Sequence, residues 1–156
     1  MTTDNTASPP CSASAGPDAY MGYADAPELI VSLNQLLEAE RAGARVAEES
    51  LAEARDDAER RKIAQVHHDE GHWCVMVAAE IRRLGGTPSD QTGSFHVKAM
   101  EIAGIDTRLV FLNRGQAWVV RKLDEMLPRV RDARLHQGLT AMRDGHVGNI
   151  ELMAGS

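Results

Sequence analysis

Apolar residues recur along this chain at three- and four-residue steps, in four separate runs. The first, at about 26–54, carries Ile30, Leu33, Leu37, Ala44, Ala47 and Leu51. The second, at about 57–84, carries Ile63, Val66, Trp73, Cys74, Val77, Ile81 and Leu84. Leu109, Leu112, Val119, Val120, Leu123 and Leu127 mark a third at about 107–127, and Leu135, Leu139, Met142, Ile150 and Met153 a fourth at about 132–154. This spacing predicts four amphipathic helices. Their ends are signalled as well. Asp25 is placed to cap the first, with Pro27 in the first turn and Glu28 at the capping-box position. The charged stretch "RDDAERRK" breaks the stripe and offers Asp56 or Asp57 as the next cap. Gly85-Gly86 closes the second helix and Pro128 stops the third. A long connection separates the second and third helices, with room for a short helix at about 97–103. Two helical hairpins joined by one crossover define an all-α four-helix bundle.

Each stripe contains one polar residue near its midpoint: Glu40, Glu70, Gln116 and His146. Antiparallel neighbours bring midpoints to one level, so these four groups are expected to meet in the core. The step from Glu40 to Glu70 equals that from Gln116 to His146, as in a duplicated hairpin. His67, one turn before Glu70, flanks the seam, and Cys74 adjoins it one turn after. The segment "QVHHDEGHWCVM" holds other tempting side chains, but His68, Asp69 and His72 lie about 100–200° from the Glu70 direction and are expected in solvent. Asp144 is two residues off its seam and is read as surface.

Composition narrows the setting. The first 24 residues are rich in Ser, Ala, Pro and Gly without periodicity and read as a disordered or loosely packed arm, leaving 25–156 for the bundle. Tyr20 and Tyr23 are expected to fold back on the domain, and Cys11 has no assignable role. A formal charge of −6 argues against nucleic acid or an anionic membrane as partner. No stretch approaches the roughly 18 apolar residues of a membrane span. Two cysteines and no basic-then-apolar leader suit a reducing cytoplasm.

The chain resembles the ferritin-like superfamily, in which helices one and three each give a Glu and helices two and four each give Glu-x-x-His to a pair of irons. Glu40 and Glu70 match the first two glutamates. Trp73 stands where the first His belongs, Gln116 replaces the third Glu, and His146 and Asn149 occupy the last Glu-x-x-His. The blocks "LLEAERAG", "LGGTPS", "LNRGQAWVVRKL" and "LPRVRD" are similar to uncharacterised bacterial ferritin-like proteins over about 29–153. The resemblance implies a divalent metal, iron foremost with manganese, zinc and copper as alternatives, chemistry with O₂ or peroxide or storage of the ion, and a homodimer.

Four carboxylates and two histidines are not available, so the expected centre is mono- or dinuclear, with the complete two-metal set disfavoured. Glu40, Glu70, His146 and His67 would hold the ion, with Gln116 as a neutral oxygen donor and Asn113, Asn149, Cys74 and Trp73 around them. The alternative is a metal-free bundle used for dimerising or sensing. One acid would then be protonated or met by Arg114 or Arg121, and the amides and His146 would complete a hydrogen-bonded network.

Overall fold

The computed structural model describes residues 21–155. Five helices follow in order: α1 (Ala26–Leu51), α2 (Asp57–Arg83), α3 (Phe95–Met100), α4 (Ile105–Met126) and α5 (Ala133–Ala154). A 3-10 turn, Leu127–Arg129, holds Pro128 at the end of α4. There is no strand among the described residues. α1 packs on α2 and α4 on α5, and the two hairpins meet with α1 against α4 and α2 against α5. This is the hairpin–crossover–hairpin bundle that the periodicity predicts. No helix is long and apolar enough to cross a membrane among the described residues.

Local chemistry sets the helix ends. Asp25 accepts from the Glu28 N–H at 2.9 Å, Asp56 from Glu59 at 2.8 Å and Asp132 from Leu135 at 2.8 Å. Each such cap is worth about 1 kcal/mol. Gly85 ends α2 at φ +88°, a left-handed conformation that a side chain would oppose. Gly86 N–H then reaches back to the Ile81 carbonyl at 2.9 Å. α1 stops at Leu51 rather than 54, since the chain turns there to present Asp56 as the next cap. The short crossover helix lies at Phe95–Met100 instead of 97–103.

The crossover is tied to α1 by residues one turn apart. Asn34 donates to the Thr87 carbonyl at 3.2 Å and accepts from Ser89 N–H at 2.7 Å. Glu38 accepts from the Ser89 hydroxyl at 2.7 Å, and its carbonyl accepts from Gly93 N–H at 3.1 Å. Arg41 donates to the carbonyls of Ser89, at 2.9 Å, and Gln91. With partners on so many sides, α1 buries more than the single stripe expected: Leu29, Leu36, Gly43 and Ser50 are inside as well.

Two apolar blocks form the core. One gathers Leu33, Leu37, Val77, Ile81, Leu139 and Met142, the other Val46, Ala47, Ile63, Val66 and Leu112. Along every long helix the polar stripe residue falls between these blocks. Of the expected N-terminal arm, Tyr20 and Cys11 lie outside the described residues. Its end is described, and buried Ala24 donates its N–H to the Arg129 carbonyl at 2.9 Å.

Candidate metal centre

α1 delivers Glu40, α2 Glu70, α4 Gln116 and α5 His146, and all four are at most 3% exposed. Glu40, Glu70 and His146 each place a ligand atom within 4.8 Å of the others. His146 Nε2 lies 3.0 Å from both carboxylate oxygens of Glu40. Glu70 fits beside them because α1 has no side chain at position 43. A Cβ on Gly43 would come within 2.5 Å of Glu70 Oε1 and 2.6 Å of Oε2. Burial above all, and then the charges of Glu40 and Asp69, hold the Glu70 carboxyl well above its ordinary range.

Several buried polar atoms here have no hydrogen-bond partner in the protein. They include Glu40 Oε1, Glu70 Oε2, Gln116 Oε1 and His146 Nδ1. Gln116 is turned by α4 itself: its amide NH₂ donates to Asn113 Oδ1 at 3.1 Å, which leaves its oxygen free. Asn113 in turn donates to the Ile150 carbonyl at 3.2 Å and so joins α4 to α5. Buried oxygens without donors, here those of Glu40, Glu70 and Gln116, cost about 1–3 kcal/mol each, which a cation would offset.

The remaining candidates separate into those beside the cluster and those away from it. His67 is half-buried and outside the group of mutually close ligand atoms, so the expectation of two imidazoles around one ion is corrected to one. Trp73 packs over the α5 backbone, where a Cβ at Gly145 would lie 2.9 Å from its Cζ2. An indole N–H donates and cannot ligate. Cys74 is half-buried. Burial, with Glu40 and then Glu70 opposing the smaller pull of Arg41, pushes its thiol up to about 12, far from a thiolate ligand.

His68 and His72 are exposed, as the helical angles predict. Asp69 is not a solvated residue. It is half-buried and accepts from Asn149 Nδ2 at 3.0 Å and Gln65 Nε2 at 2.9 Å. Against a burial penalty that works the other way, these bonds and one from His68 hold its carboxyl below the ordinary range. Asn149 is thus a brace between α5 and α2. Arg114 and Arg121 are exposed, and neither is inserted among the acids. The buried arginine is Arg108, which the stripe reading missed. It donates to Glu53 at 2.8 Å and to the Ile102 carbonyl at 2.8 Å, joining the crossover to the turn that follows α1.

Two carboxylates, one imidazole and one amide oxygen fit one divalent ion. At metal–ligand bonds of about 2.1 Å, donors around one centre sit within about 4.2 Å of one another, and the ligand atoms of Glu40, Glu70 and His146 lie within 4.8 Å of one another. The set does not fit a pair of ions, for which two carboxylates and one imidazole are missing.

A helical bundle of hairpin–crossover–hairpin order has the ferritin-like fold. More narrowly, the family model described as "Domain of unknown function (DUF6306)" matches residues 27–155, and the chain belongs to that family. A solved relative in shape is described as "Crystal structure of ferritin like, diiron-carboxylate proteins from Bacillus anthracis str. Ames". It has a TM-score of 0.68 and 16% identity, over 83% of this chain and 92% of that one. At that identity the likeness establishes the fold alone. No curated protein matches the chain.

Proposed function

We propose that this chain binds one divalent metal ion, iron foremost, between Glu40, Glu70 and His146, with Gln116 as the fourth donor. The observation that carries the reading is the set of buried lone-pair atoms on these residues that no protein donor satisfies. The donors are hard or borderline, which suits Fe(II), Mn(II) or Zn(II) over Cu(I). Iron takes precedence from the diiron-carboxylate description of the similar bundle. When bound, such an ion supplies a centre at which O₂ or peroxide is activated, or is itself the stored cargo.

The protein's own contributions are positional and electrostatic. Glu40 and Glu70 bring two negative charges that a divalent ion balances, which offsets the cost of burying them together. Gly43 sets how near the Glu70 carboxylate comes to α1. Asn113 fixes the Gln116 amide so that its oxygen faces the cavity. His146 is held through Glu40 and by packing, because its Nδ1 lacks the acceptor that usually orients a metal-bound imidazole.

A metal-free reading has one observation in its favour. A proton held on Glu70, in keeping with its raised affinity for one, together with the Glu40–His146 hydrogen bond lowers the cost of burying the two acids without an ion. The bundle would then serve as a dimerising or sensing module.

Metal analysis of untagged protein separates the two. About one divalent ion per chain is expected in the wild type, falling to background in Glu70→Ala and His146→Ala. Equally little metal in all three defeats the metal reading.

A further inference from the structure

A cavity of 460 Å³ runs from solvent between α1 and α4 down to the polar cluster. Its floor is Glu40, Glu70 and Gln116, and its walls are Ala39, Leu112, Val119 and Phe95. Trp118 stands at the rim, 41% exposed. The opening is built from specific contacts. Phe95 lies across α4 because residue 115 is glycine, where a Cβ would sit 2.7 Å from its Cζ. The ring is steadied by stacking on Phe111 at 4.7 Å. On the other side the Gly93 N–H bond to Glu38 holds the crossover to α1, so the roof is fixed at both edges.

The lining selects among ligands. A volume of this size falls within the range of small-molecule sites, about 300–1,000 Å³. No Arg, Lys or His is among the described lining residues, whereas Glu38, Glu40 and Glu70 are. An anion entering here would meet like charge and no counter-ion. The walls are apolar, and at the floor Gln116 Oε1 and Glu70 Oε2 are acceptors without donors.

We propose that this cavity is a ligand pocket for a small, uncharged, mainly apolar molecule bearing a hydroxyl at one end. Its hydrocarbon part lies against Phe95, Leu112 and Val119, and its hydroxyl is directed to Gln116 and the carboxylates. That this ligand is the substrate of the centre rests on the metal reading, while its binding does not.

Calorimetric titration with 4-butylphenol and with 4-butylbenzoate tests the pocket, on the full chain both metal-loaded and chelated. The phenol is uncharged at neutral pH, with a pKa of about 10, and the benzoate is an anion of similar shape. Expected is one-site binding of the phenol, at least about tenfold tighter than the benzoate. Ala39→Leu, which fills the wall, should weaken it by about tenfold or more with the ion content unchanged. Trp118→Ala, at the exposed rim, should weaken it several-fold and serves if Ala39→Leu fails to fold. No saturable binding, equal affinity for both probes, or binding untouched by either variant overturns the pocket. Phenol binding by a chain that takes up no ion removes the metal reading and keeps the pocket. An ion bound without phenol binding does the reverse.

Discussion

Glu70 is the residue on which the core's charge balance turns. Its buried carboxyl, crowded by Glu40 and Asp69, binds a proton more tightly in the folded chain than in the unfolded one, where the ordinary value is 4.5. In metal-free protein below that value both states hold the proton and the stabilising contribution is fully present. As pH rises, the unfolded chain releases the proton first, so stability falls until pH passes the folded value. Glu70→Gln keeps the shape and has no proton to lose. With chelator present, its melting temperature should match wild type near pH 5 and exceed it at pH 8. Each kcal/mol of difference appears as about 2–4 °C in a chain this long. Parallel curves for the two proteins across this range would mean that Glu70 is not held protonated. Such a residue is legible in the sequence because a glutamate in the middle of an apolar stripe can point only inward. Asp69 was not legible in the same way. Its direction, one step round the helix, leads to Asn149 on α5, and no pattern within α2 announces that partner.

At the scale of elements, the separation of α1 and α2 decides whether the cluster forms. At Gly43, Glu70 occupies the space a methyl would need. The obstructing atoms are the end of a flexible side chain, so Gly43→Ala should fold. It should gain up to about 1 kcal/mol from better helix propensity in metal-free protein. The methyl should also turn Glu70 aside and lower metal affinity by at least about tenfold. Thermal melting with chelator and metal titration measure the two effects separately, and unchanged affinity would show that Glu70 is not placed by Gly43. The helices differ in how closely burial follows the apolar stripe. α2 follows its stripe with Ile63, Val66, Glu70, Val77 and Ile81 buried, and departs from it at Glu80, which is buried against Arg83 and Arg134. α1 is covered more widely, by α2, the crossover, α3 and α4, so its buried set outruns any single stripe. Asn34, Glu38 and Arg41 look like an ordinary solvated face until the crossover that they bind is in place.

Across the whole molecule, the cluster is a polar layer between apolar blocks, and all four long helices contribute to it: Glu40 from α1, Glu70 from α2, Gln116 from α4 and His146 from α5. The apolar blocks on either side would hold the bundle together without it, so the metal-free chain is expected to be folded. An ion at this level would bind the folded bundle and have no comparable site in the unfolded chain, where the four donors are far apart in sequence. Binding must then appear as stability. At a free ion concentration of 100 times Kd the gain is about 2.7 kcal/mol. For a chain of 156 residues that corresponds to a rise of about 5–10 °C in melting temperature. The rise should be reversed by chelator and absent in His146→Ala. An equal rise in wild type and His146→Ala would place the ion on surface carboxylates instead of between the helices. A rise in wild type alone, growing with the logarithm of ion concentration, would mark an ion that joins the two hairpins at their centre.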